Sequence, residues 1–110
     1  MAGPLVVYVD VDDTLIRTAG NKRIPVSHVS EHVRMLAAAG AELYCWSTGG
    51  GPYAQSVAQE LGIADLFAGF LPKPQVLIDD RAVSDWRRMI EVHPGECPRW
   101  TEEAYRRAIT

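Results

Sequence analysis

The sequence predicts an α/β protein with a mainly parallel β-sheet. Three observations carry this. Short apolar runs alternate with stretches of helical periodicity. Carboxylate or hydroxyl residues stand at the ends of those runs, and glycine or proline falls where a helix would stop or start. Strands alternating with helices imply right-handed βαβ crossovers.

The first expected strand covers about residues 5–10. Val6, Val7, Tyr8 and Val9 form an uninterrupted apolar run, a pattern of strands covered on both faces. It ends in Asp10, Asp12 and Asp13, followed by Thr14. Residues two apart on a strand share a side, so Asp10 and Asp12 face one way, and Val11 and Asp13 the other. Carboxylates this close repel unless a cation or a shared proton relieves them. Asp13 is expected to form a turn, and Thr14 to fix the loop by hydrogen bonds.

The stretch TAGNKRIPVS is rich in turn residues. HVSEHVRMLAAAG places Val29, Val33 and Leu36 at helical spacing, with Ser27 as the expected N-cap and Gly40 as the stop. AELYCW is a second strand, running into Ser47, Thr48 and three glycines. Pro52 suits the first turn of a helix to about Leu61, closed by Gly62. FAGFL is a weak third strand, and VLI before Asp79 and Asp80 a fourth. AVSDWRRMI reads as helical, EVH as a short strand and TEEAYRRAI as a closing helix. Ligands bind beyond the carboxyl ends of parallel strands. Asp10, Asp12, Ser47, Asp79 and Asp80 are therefore expected to converge on one crevice.

The chain of 110 residues fits one domain, 1–110. Its 47% hydrophobic residues suffice for a core. A net charge of −3 argues against a nucleic-acid binder working by electrostatics alone, while leaving open an enzyme that meets a nucleic acid end locally. Cys45 and Cys97 match no metal spacing and are expected as reduced thiols. The first residues lack the basic region of a signal peptide, and no apolar stretch is long enough to span a bilayer. A cytoplasmic protein with no membrane partner is expected.

These parts suit phosphoryl transfer. A carboxylate can attack phosphorus, and a second can protonate the leaving oxygen and then activate water. A hydroxyl at a glycine-rich helix start can hold phosphoryl oxygens together with backbone N–H groups. A lysine can neutralise those oxygens, and Mg²⁺ held by carboxylates can join nucleophile and phosphate. One of the two lysines, Lys73, directly precedes the expected fourth strand.

With DVDDT, the hydroxyl-ended second strand, Lys73 and the pair Asp79–Asp80 in this order, residues 5–80 resemble the haloacid dehalogenase (HAD) superfamily. The resemblance implies a Rossmann-like three-layer α/β/α sandwich and a Mg²⁺-dependent phosphatase acting through an aspartyl phosphate. It implies Asp10 as nucleophile and Asp12 as general acid/base, with the Asp12 carbonyl on Mg²⁺. Ser47 or Thr48, together with Lys73, would bind the phosphate, and Asp79 and Asp80 would complete the metal site. Ser47 is favoured because it directly ends the apolar run, and Asp80 is favoured as the direct ligand with Asp79 in support.

Competing readings fit less well. In an EF-hand, Leu15 would stand where glycine is required and Asn21 where glutamate is required. A phosphoacceptor receiver would place its lysine after the later acidic positions, whereas Lys73 precedes Asp79. WSTGG is neither the GxSxG of a serine hydrolase nor the GK[ST] of a P-loop. His28, His32 and His93 lack ligand spacing, and Trp46 reads as core. Trp86 with Arg87 and Arg88 reads as a packed helix with a solvated basic edge. Arg17, Lys22 and Arg23 read as a solvated turn, where the family carries a mobile flap.

The gaps Leu15–Trp46 and Thr48–Pro72 are too short for an independent cap domain, which needs roughly 40 residues. A capless site would admit bulky phosphorylated substrates unless a second subunit covered it. The stretch IDDRAVSDWRR also resembles the phosphatase domain of polynucleotide kinases, and KPQVLIDDRA small phosphatases of capsule and sugar-phosphate metabolism. A nucleic acid 3′-end phosphatase and a non-catalytic phosphate-binding or regulatory module remain the alternatives.

Overall fold

The structure, a computed structural model, describes residues 3–110. Strand β1 (Val6–Asp10) leads into an antiparallel hairpin, β2 (Ile16–Ala19) and β3 (Lys22–Pro25). Helix α1 (Ser27–Ala38), strand β4 (Glu42–Ser47), helix α2 (Gly51–Glu60) and strand β5 (Gly69–Pro72) follow, and helix α3 (Glu102–Ala108) closes the chain. The main sheet is parallel, in the order β1-β4-β5.

Both crossovers, β1 to β4 and β4 to β5, step the same way across the sheet. Two right-handed connections stepping in one direction place both helices on one face. That face holds the core: Val9 of β1 and Leu43 and Cys45 of β4 pack with Val29, Val33 and Leu36 of α1 and Ala54, Val57 and Ala58 of α2. The opposite face presents Val6 and Tyr8, 55% and 47% exposed, beside half-buried Tyr44 and Trp46. The Tyr8 ring packs against Tyr44 at 5.2 Å and edge-on against Trp46 at 5.0 Å. The apolar run of β1 is thus covered on one face and not on two, a correction to its sequence pattern.

Local chemistry explains the element ends. Ser27, expected as the N-cap, is instead the first residue of α1: Val26 occupies the cap position and no side chain caps the helix. The chain leaves α1 through Gly40 at φ 90° and α2 through Gly62 at φ 72°, conformations glycine adopts without steric cost. Gly51 is required for another reason: a Cβ there would stand 2.7 Å from the Phe70 carbonyl oxygen, so α2 can sit this close to β5 only without one.

The expected fourth strand does not form. Residues 73–80 belong to no strand or helix, and Val76, Leu77 and Ile78 are 77%, 52% and 96% exposed. The reason is chain length. β5 ends at Pro72, and only Pro74 and Gln75 separate Lys73 from Val76. Returning to the amino end of a parallel sheet takes a dozen or more residues.

The expected helix over AVSDWRRMI shrinks to a 3₁₀ turn at Val83–Asp85, and EVH forms no strand. The closing helix does form. Thr101 caps it by accepting from the Ala104 N–H, and Tyr105 anchors it, stacked on Trp100 and hydrogen-bonded to His32 at 2.7 Å. Cys45 and Cys97 are buried free thiols. Among the described residues no helix is long and apolar enough to cross a membrane.

Candidate functional site

At the carboxyl end of β1, the backbone folds back on itself. The N–H groups of Thr14, Leu15 and Ile16 all donate to the Val11 carbonyl, and Asp13 adopts φ 62°. Aspartate tolerates this left-handed conformation better than most residues, which makes Asp13 the turn former the sequence suggested. The turn brings Thr14 back so that its hydroxyl donates to Asp10 Oδ2 at 3.1 Å.

The other oxygen of Asp10 faces Lys73. Lys73 Nζ lies 3.0 Å from Asp10 Oδ1, and its ammonium stands 5.7 Å from the centroid of the Trp46 ring. The Lys73 backbone is held too, its N–H donating to the Ser47 carbonyl at 2.9 Å. β4 therefore positions the lysine for the acid of β1. Trp46, expected as core, is half-buried and lines this cationic spot.

Ser47 is 1% exposed, and its Oγ accepts from the Gly49 N–H at 3.0 Å. Its hydroxyl proton stays available as a donor. Thr48 is exposed. Ser47 shapes the glycine turn from within, and Thr48 stands on its outer side.

Asp12 has a partner that sequence reasoning missed. The Tyr53 hydroxyl, on the first turn of α2, donates to Asp12 Oδ1 at 2.7 Å. This hydrogen bond to the carboxylate is the largest cause of a Tyr53 pKa raised above 10.0. A Cβ at Gly49 would lie 2.9 Å from the Tyr53 ring, so the glycine run makes room for that ring. Arg23 at the hairpin tip lies 5.5 Å from the Tyr53 ring centroid and pairs with Glu60 at 2.8 Å. It is an exposed tether between hairpin and α2, and Arg17 and Lys22 are exposed too.

The chain thus brings Asp10, Asp12, Thr14, Ser47, Tyr53 and Lys73 to one end of the sheet. It does not bring Asp79 and Asp80 there. Both are exposed, and Asp79 Oδ1 accepts from the Arg81 N–H at 2.9 Å. Mg²⁺ demands near-octahedral oxygen coordination. Among the described residues no group of three or more His, Cys, Asp or Glu side chains is placed to hold a metal ion; Asp10 and Asp12 are the carboxylates present at this end of the sheet. Two surface grooves flank α1, beside His28 and Glu31, and neither is lined by Asp10, Ser47 or Lys73. No protein-family model, curated protein or solved structure matches this chain.

Proposed function

We propose that the protein is a phosphomonoester hydrolase that works through an aspartyl phosphate on Asp10, on a HAD-like α/β fold without a cap, of which the structure shows helices on one face of the sheet only. The observation that carries this reading is the Lys73–Asp10 contact of 3.0 Å at the end of a parallel strand. A carboxylate flanked by an ammonium group and a hydroxyl is placed to meet a dianionic phosphate. The lysine offsets charge that the nucleophile and phosphoryl group would otherwise concentrate.

Asp10 attacks phosphorus, the bond to the ester oxygen breaks, and Asp12 gives its proton to the departing alkoxide. Asp12, now ionised, takes a proton from water as that water attacks the phosphoenzyme. This releases inorganic phosphate and restores Asp10. Tyr53 orients Asp12 through its 2.7 Å hydrogen bond. Ser47 or Thr48, with the N–H groups opening α2, binds the phosphoryl oxygens. Dependence on Mg²⁺ belongs to the same proposal and rests on the acidic motifs. Two buried free thiols support a reducing, cytoplasmic setting.

The test is hydrolysis of a panel of sugar phosphates, nucleotides, phosphopeptides and 3′-phosphorylated oligonucleotides, with Mg²⁺ or with EDTA. Turnover of at least one ester, abolished by EDTA and by Asp10→Asn, is expected. Asp12→Asn should slow it by about 10²–10⁴-fold. Undiminished turnover by Asp10→Asn would refute the covalent route. Phosphate binding without turnover would leave the regulatory module.

A further inference from the structure

The open face of the sheet carries a row of rings that ends at Asp10. Alternation along β1 turns Val6, Tyr8 and Asp10 to this face, and alternation along β4 turns Tyr44 and Trp46 there. Tyr8 stands opposite Tyr44, and Asp10 opposite Trp46. The Tyr8 ring is braced from two sides, by Tyr44 at 5.2 Å and edge-on by Trp46 at 5.0 Å, yet Tyr8 is 47% exposed. Tyr44 in turn lies low across β5: a Cβ at its partner Gly69 would come within 3.3 Å of the ring. A ring that served the sheet alone would gain by being covered. Tyr8 is instead held still with its surface open, and a fixed ring stacks on a planar ligand at little entropic cost.

Distance and charge define that ligand. Tyr8 and Asp10 are two residues apart on one side of β1, roughly 7 Å, which is about the span of the ribose that joins a base to its phosphate. Lys73 stands at the Asp10 end, its ammonium 3.0 Å from Oδ1 and 5.7 Å from the Trp46 ring centroid. It offers one cation for one phosphate. At the other end of the face Val6 stands opposite Glu42, whose carboxylate accepts from the Tyr44 hydroxyl at 2.8 Å. A nucleic-acid strand brings a negative charge with every nucleotide, and here it would run into that carboxylate. One base with one phosphate matches the face, and a strand does not.

We propose that the open sheet face is a base-stacking platform and that the substrate is a nucleoside monophosphate. Its base lies on Tyr8 beside Trp46, and its phosphate meets Lys73 and Asp10. The substrate role rests on the phosphatase reading: water cleaves the ester to nucleoside and inorganic phosphate through the aspartyl phosphate. The stacking does not depend on turnover. Tyr8 selects the substrate and takes no part in breaking the bond.

Stacking of a base on an aromatic side chain is worth about 5–150-fold in affinity. The full chain should therefore hydrolyse adenosine 5′-monophosphate with a kcat/KM at least about 5-fold above that for ribose 5-phosphate. Tyr8→Leu keeps an apolar side chain against Trp46; it should erase this preference and leave ribose 5-phosphate turnover within about twofold. Tyr8→Phe should retain the preference, and it decides the matter should leucine disturb the fold. Equal rates on the two esters, a preference that persists in Tyr8→Leu, or one lost in Tyr8→Phe overturns the proposal. Faster turnover of a 3′-phosphorylated oligonucleotide than of adenosine 3′-monophosphate would give the face to a strand. A dimer in sedimentation that Val6→Glu breaks up would give it to a second copy, and either result overturns the proposal. Calorimetric titration of Asp10→Asn separates the platform from the phosphatase reading. Adenosine 5′-monophosphate should bind at least about 5-fold more tightly than ribose 5-phosphate. A wild type inactive on every ester would sink the phosphatase reading, whereas equal affinities would sink the platform.

Discussion

Lys73 Nζ stands 3.0 Å from Asp10 Oδ1, and β4 holds the lysine backbone in place for it. Both side chains are 33% exposed, so solvent screens part of the attraction. A pair at about 4 Å is worth up to ~4 kcal/mol at an effective dielectric near 20, before desolvation. Lys73→Ala should therefore lower kcat/KM for a small phosphate ester by about 10²–10³-fold. Lys22, exposed in the hairpin, should change it by no more than about threefold on substitution by alanine. Steady-state kinetics on the pair decides it: equal losses would mean a generic basic patch.

Tyr53 should report on Asp12. Its hydrogen bond to the carboxylate favours the neutral phenol and raises its pKa above 10.0. Asp12→Asn removes the anion that the phenol donates to, so tyrosinate should form at lower pH. Ultraviolet difference titration of wild type against Asp12→Asn measures it, with Tyr53→Phe identifying the band. An unchanged alkaline titration would show the contact absent in solution.

The docking of α3 should make stability fall at both ends of the pH scale. Burial, followed by the neighbouring His28, lowers the His32 pKa below 6.5. The unfolded chain then binds that proton first, so stability is full above pH 6.5 and drains as pH falls through the depressed value. Burial pushes Tyr105 from 10.0 up to about 12. Here the unfolded chain releases its proton first, and stability falls as pH rises from 10 towards 12. Cys45, pushed from 9.0 to about 12 by burial and then by Asp10, adds to the alkaline loss. Thermal melts across pH should show a plateau between the two limbs. Tyr105→Phe should flatten the alkaline limb, and an identical slope in that variant would refute the assignment.

Gly51→Ala should destabilise the fold. The new methyl would press on the Phe70 carbonyl at 2.7 Å and force α2 away from β5, a cost of about 1–3 kcal/mol for an overpacked contact. Urea unfolding with an unchanged m-value is the measurement. Ala54, in the same helix and fully buried, bounds the room available: the helix cannot slide sideways to escape.

The parallel core was readable wherever a short-range signal had a local cause. Val29, Val33 and Leu36 marked the buried side of α1, and Gly40 and Gly62 marked helix ends because both need positive φ. Thr14 and Asp13 followed from the tightness of the turn after β1. The hairpin was missed because KRIP and IRTA are short, polar and exposed, with only Ile16 buried. Val76–Ile78 misled for the opposite reason. Its apolarity is that of a strand, but strand formation needs a neighbour within reach, and reach is a property of the connecting chain and the sheet order. Tyr53 escaped notice because an aromatic beside glycines is ordinary until the ring's room is measured.

The Arg23 tether has a kinetic meaning. An exposed ion pair with Glu60 and a cation over the Tyr53 ring together hold the hairpin tip by on the order of 1–2 kcal/mol. Were these two contacts all that held the tip, roughly 3–15% of molecules would be unlatched at any moment, a fraction that would grow with added salt. The base of the hairpin is anchored independently by buried Leu15, Ile16 and Val26, so losing the tip contacts would leave in place the turn that holds Asp10. Added salt should therefore loosen the hold of the hairpin arm on α2 while the turn beneath it keeps its shape.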